Sequence, residues 1–75
     1  MSDHVYSVSE IVGSSPDSIE DAINGALARA RRTLRHLNWF EVTEVRGYLT
    51  SEGTVDYYQV ALKLGFRMEQ ERSAD

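Results

Sequence analysis

The chain has 75 residues, no cysteine and a formal net charge of −4. A domain of this size buries only about 60% of the surface its unfolded form exposes, so its own core is marginal, and without cysteine neither disulfides nor thiolate metal sites can supplement it. The acidic balance argues against generic nucleic-acid binding, which needs a basic surface to displace counterions from phosphates, and no window approaches a membrane-spanning run.

His4 and His36 share no ligand spacing with each other or with a carboxylate pair, so a structural zinc is not expected. Self-association is the remaining route to stability. The lack of cysteine fits a reducing compartment, and the opening residues lack the basic start and apolar stretch of a signal peptide; the expectation is a cytoplasmic protein. No linker, repeat or low-complexity block divides the chain, which reads as one unit over 1–75 with a fraying tail over 69–75.

The first element is a strand from about Val5 to Val12, rich in β-branched and aromatic residues and halted by the turn cluster Gly13-Ser14-Ser15-Pro16. Ser15 followed by Pro16 reads as an N-cap with proline at the first helical position, and Asp17, Glu20 and Asp21 put negative charge in the opening turns. Apolar residues then recur at Ile19, Ala22, Ile23, Ala26, Leu27, Ala30, Leu34 and Leu37, one stripe of period near 3.6 that predicts a helix from Pro16 to about Leu37. Glu20, Asn24, Ala28, Arg31 and Arg35 lie opposite, and Gly25 costs roughly 1 kcal/mol against alanine unless something packs close to it. Arg29, Arg31, Arg32, Arg35 and His36 concentrate positive charge at the helix end. That cluster is either a solvated face complementing the helix dipole or a site for anionic groups such as phosphates at a subunit junction.

Two strands follow, from Trp39 to Thr50 and from Thr54 to about Glu69, joined by the turn Ser51-Glu52-Gly53 into a hairpin. In the last strand Tyr58, Val60, Leu62, Leu64, Phe66 and Met68 fall on one face, which should cover the helix, while Tyr57, Gln59, Ala61, Lys63, Gly65 and Arg67 fall on the other. The preceding strand is less regular: Phe40 and Val42 share one parity, Val45 and Leu49 the other. A β-bulge near Thr43-Glu44 would turn all four toward the helix and leave Trp39, Glu41, Arg46 and Tyr48 pointing away.

One helix covers one face of a three-stranded sheet, so the outer face is left for solvent or partners. It carries Trp39, Tyr57, Gln59, Arg46 and Lys63. Trp39 has two readings: packing in the core or a subunit contact, where tryptophan is common, or stacking on a planar heteroaromatic ligand. Gln59 fits the second, because a carboxamide matches an edge that alternates carbonyl and N–H groups; alone, an outward glutamine is usually just solvated.

At these residues the chain resembles the dodecins, small flavin-binding proteins. The likeness runs from the opening Tyr6 to Ile11-Val12-Gly13-Ser14-Ser15-Pro16, then through Ala22-Ile23, Ala26-Leu27-Ala28-Arg29-Ala30, Leu37-Asn38-Trp39-Phe40-Glu41-Val42, Arg46-Gly47, Tyr58-Gln59-Val60 and Leu64-Gly65-Phe66-Arg67. The resemblance implies an α+β, β-α-β-β subunit whose three-stranded antiparallel sheet wraps one long helix, assembled as a hollow dodecamer. It implies storage and sequestration of flavin, with pairs of flavins stacked between tryptophans at subunit contacts and their excited state quenched by electron donation from the indole. Trp39 and Gln59 are the binding residues it points to, Arg46 lies near the ligand, and Tyr48 and Tyr57 line the mouth of the pocket. FMN is its first ligand, with riboflavin and FAD as alternatives, and it admits coenzyme A held by the cationic helix end or Arg67. No nucleophile with a base, no glycine-rich phosphate loop and no contrasting carboxylate pair marks an enzyme. The competing readings are a purely structural oligomeric module without ligand and a flavin-dependent reductase.

Overall fold

The computed structural model describes residues 5–68; His4 and the tail expected over 69–75 lie outside the described residues. The elements follow the order β1 (Tyr6–Ser15), α1 (Ile19–Ala30), β2 (Leu37–Leu49) and β3 (Val55–Arg67). β3 lies in the middle of one antiparallel sheet ordered β1-β3-β2.

The helix is shorter at both ends than its apolar stripe predicts. The N-cap is Ser18, not Ser15: at φ −164° and ψ 164° its hydroxyl accepts from the Asp21 N–H at 2.9 Å. Ser15 instead ends β1 and organises the turn. Its buried hydroxyl accepts from the backbone N–H groups of Asp17 and Ser18, at 2.9 and 3.4 Å, and donates to Asp21 Oδ2 at 2.7 Å. Pro16 therefore lies in the connecting turn.

At the other end the ladder tightens after Ala30. Arg32 N–H bonds to Arg29 O and Thr33 N–H to Ala30 O, both at 3.1 Å, closing three-residue turns. His36 then takes a φ of +61°, and this left-handed residue redirects the chain into β2. Leu34 and Leu37 still pack on the core, Leu34 from the connecting loop and Leu37 from β2. The 3.6-residue spacing thus outlasts the helix it predicted. Of the arginine cluster, only Arg29 lies in the last helical turn.

The core is Ala22, Ala26 and Ala30 of α1 against Val60, Leu62 and Leu64 of β3, with Ile11, Ile23, Leu27, Leu34 and Leu37 packed around it. Small helix residues allow close approach, and Gly13 of β1 carries this furthest: a Cβ there would lie 2.5 Å from the Ala22 carbonyl oxygen and 2.9 Å from Ala26 Cβ. Gly25, by contrast, meets nothing within 4 Å of an added Cβ, so close packing within the chain does not account for it.

α1 lies over β1 and β3. The β3 alternation holds at Val60, Leu62 and Leu64, all fully buried, but Met68 is half exposed. The bulge expected at Thr43-Glu44 is present as a register shift between Val42 and Glu44, with the Thr43 hydroxyl bonded to the Ala61 carbonyl at 3.2 Å. Phe40, Val42 and Val45 pair with Leu64, Leu62 and Val60, so they do face the helix side. The helix does not cover them, however: Phe40 and Val45 are 46% and 47% exposed. Leu49 does not join this row: a further register shift after Tyr48 pairs it with Val55, and it is more exposed still. Twelve helical residues, about 18 Å, seated over the β1 side of a three-stranded sheet, do not extend to β2.

Candidate functional site

The outer face is best described as rows of cross-strand partners, because residues directly opposite in an antiparallel pair project on the same side. From one end, the rows are Val8–Gly65–Trp39, Glu10–Lys63–Glu41, Val12–Ala61–Glu44 and Ser14–Gln59–Arg46, closed by Tyr57–Tyr48. All five residues singled out from the sequence therefore share this face. Two irregularities in β2 make this so. A shift between Leu37 and Trp39 places Leu37 toward the helix and Trp39 away from it, and the bulge at Thr43 brings Glu44, Arg46 and Tyr48 onto the face of Trp39 despite their opposite parity. The sequence pattern signalled the second shift but not the first.

Trp39 lies across β3 at Gly65. A Cβ on Gly65 would come within 2.5 Å of the indole Nε1 and closer still to Cε2 and Cζ2. The bare backbone thus forms a seat for one side of the indole, and the side chain remains 41% exposed. Sequence reasoning placed Gly65 on the outer face without giving it this role; a glycine inside an otherwise apolar strand is a signal of close approach.

At the far end, Arg46 Nη2 donates to Glu44 Oε2 in an ion pair, and the Tyr48 hydroxyl donates to Gln59 Oε1 at 3.2 Å. Tyr48 and Tyr57 stack, with ring centroids 4.8 Å apart and 22° between their planes. The pKa of Arg46 is raised above its ordinary value, first by the Tyr48 hydroxyl and then by the Glu44 carboxylate. The guanidinium is a fixed cation at any pH the fold meets.

Trp39 and Gln59 share a face but not a location. Their rows are six residue steps apart along β3, from Gln59 to Gly65, about 20 Å at strand spacing. Between them lie the charged row Glu10–Lys63–Glu41 and the row containing Glu44. The structure therefore brings Gln59, Arg46, Tyr48 and Tyr57 together and leaves Trp39 apart.

Other candidates lie elsewhere. Arg29 and Arg32, with Ser9, Ile11 and Thr33, line an open groove of about 460 Å³ between α1 and β1. Arg31 borders a smaller groove of about 230 Å³ with Leu27, Phe40 and Trp39. Arg35, His36 and Arg67 border a third, where the Arg67 N–H bonds to the His36 carbonyl at 3.1 Å. Among the described residues no group of three or more His, Asp or Glu gathers as metal ligands would, and no helix is long and apolar enough to cross a membrane.

Comparison with known proteins gives this geometry a context. A family model described as Dodecin matches residues 5–69. The dodecin of Thermus thermophilus is 56% identical over 66 residues, covering 88% of this chain and 94% of that protein. The dodecin structure from Streptomyces coelicolor superposes with a TM-score of 0.86 at 54% identity, over 95% of this chain and all of that one. The calcium-chelating dodecin of Mycobacterium tuberculosis is more distant, with a TM-score of 0.74 at 32% identity over 91% and 96% of the two chains. With its β-α-β-β order, its sheet and its sequence all in agreement, the chain belongs to the dodecin family.

Proposed function

We propose that this protein binds flavin for storage and sequestration, and quenches its excited state by stacking it on Trp39. The observation that carries the reading is the seat at Gly65: one side of the indole rests on bare backbone and the other is left open on the outer face. An isoalloxazine offers the large planar surface that such an indole favours, with offset stacking contributing about 1 kcal/mol beyond area burial. Bound flavin supplies a photoexcitable, electron-accepting ring. Trp39 supplies the electron-rich surface against it, while Gln59 and Arg46 supply hydrogen bonds to ring oxygens or to a phosphate.

The separation between Trp39 and Gln59 makes the assembly part of this proposal. One ring about 10 Å long cannot span the ~20 Å between their rows. If both serve one ligand, a second copy of the chain must bring the missing half, as expected for a homododecamer with ligands at subunit contacts. The exposed apolar strip of Phe40, Val42 and Val45 is further surface that a small domain leaves for such contacts. We place the protein in the cytoplasm, without a catalytic role: a ring stacked on both faces leaves no approach for a hydride donor, which disfavours a flavin reductase.

The test is titration of the flavin-free protein with riboflavin, FMN and FAD, following flavin fluorescence, with light scattering on the same sample. Quenching that saturates near one flavin per subunit in a particle of about twelve chains supports the reading and ranks the ligands. An intact oligomer that quenches none of the three refutes the function and favours a purely structural module. Reduction of bound flavin by NADH or NADPH at a sustained rate would refute the non-catalytic assignment.

A further inference from the structure

The Tyr48 end of the outer face holds a polar contact that stacking on Trp39 does not require. The Tyr48 ring is positioned by its stack on Tyr57, its cross-strand partner. Its hydroxyl reaches diagonally into the next row and donates to Gln59 Oε1 at 3.2 Å. A carboxamide free of such a contact turns about its last bond, and its oxygen and NH2 group exchange places. With the oxygen tied to Tyr48, one lone pair is committed, and the two Nε2 donors and the second lone pair remain in a fixed order. Arg46, its paired partner across the strands, adds guanidinium donors beside them and is itself held by Glu44.

We propose that Tyr48 is a positioning and specificity-determining residue: it locks the Gln59 carboxamide so that its N–H donors meet a carbonyl oxygen of the bound ring, selecting ligands whose edge alternates carbonyl and N–H groups. This rests on the flavin reading above and assigns the hydrogen-bonding half of that site. The aromatic pair is the support for the lock, because stacking on Tyr57 removes the freedom that an exposed tyrosine otherwise has. Tyr48→Phe keeps the ring and the stack and deletes only the hydroxyl.

The experiment is a double-mutant cycle on the intact protein, titrating riboflavin against wild type, Tyr48→Phe, Gln59→Leu and the double variant. Tyr48→Phe is expected to weaken binding about three- to tenfold with the quenched fraction at saturation unchanged, and to have less than a twofold effect once Gln59 is leucine. The same loss in both backgrounds, or none in either, overturns the positioning role. Should Gln59→Leu abolish binding, the infrared carbonyl bands of riboflavin bound to wild type and to Tyr48→Phe decide instead. Bands at higher frequency in the variant support the lock, and superimposable bands overturn it. A wild type that binds none of riboflavin, FMN and FAD refutes the flavin reading itself, whereas a wild type and a Tyr48→Phe variant that bind alike refute only the inference about Tyr48.

Discussion

Gly65→Ala separates the seat of the indole from the indole itself. An added Cβ within 2.5 Å of Nε1, and nearer still to Cε2 and Cζ2, must reach about 3.4 Å or more before contact is ordinary, so the ring has to shift by at least about 1 Å or leave. Overpacking a rigid site costs roughly 1–3 kcal/mol. Here the side chain is already 41% exposed and can swing outward. Exposing a further ~50 Å² of indole at about 25 cal/mol per Å² puts the cost near 1 kcal/mol, at the lower end. Trp39 is the only tryptophan, so intrinsic fluorescence reports on it alone. The expected outcome is a red-shifted emission, a stability loss of about 1 kcal/mol in chemical denaturation at fixed protein concentration, and about tenfold weaker flavin binding with incomplete quenching. A variant with wild-type emission and wild-type affinity would refute the argument that the bare backbone at 65 holds the indole in place.

Gly13→Ala drives a methyl into the Ala22 carbonyl and Ala26 and should lower stability by about 2 kcal/mol, seen as a lower denaturation midpoint with flavin contacts untouched. His36→Gly removes the penalty of a side chain at φ +61° and should raise stability by about 1 kcal/mol, seen as a higher midpoint in the same denaturation series. Gly25→Ala, at an open helical position, should stabilise by roughly 0.5–1 kcal/mol; a loss instead would show that another copy of the chain packs there. Ser15→Ala strips the partner from two backbone N–H groups and from Asp21 and should cost about 1–3 kcal/mol.

The order of elements and the faces of the strands were legible in the sequence because alternation has a period of two and admits only two answers. Val60, Leu62 and Leu64 could not face the helix without sending Gln59 and Tyr57 to the other side. The mismatch of parity between Val42 and Val45 likewise announced the bulge, since one extra residue is the smallest change that reconciles them. The helix limits were not legible. Leu34 and Leu37 continue the 3.6-residue spacing, yet they reach the core from the loop and from β2, and spacing alone cannot tell a helical turn from a chain that returns to the same core. The cap moved from Ser15 to Ser18 for a similar reason: both serines can cap, and Ser15 was already engaged in burying the end of β1 and holding the turn.

The chain by itself determined a β-α-β-β protein with an outer face of aromatic, amide and cationic residues, because those properties follow from local periodicity and residue chemistry. Only the tertiary structure decided how that face is divided. The Leu37–Trp39 shift, unmarked in the sequence, let Leu37 join the core while Trp39 stayed outward, and the close pass of β2 beside Gly65 gave the indole its seat. Strand register then set Trp39 some 20 Å from Gln59 and joined Gln59 to Tyr48. These are relations between residues distant in the chain, set by which backbone hydrogen bonds form across the sheet, and residue type records them only indirectly.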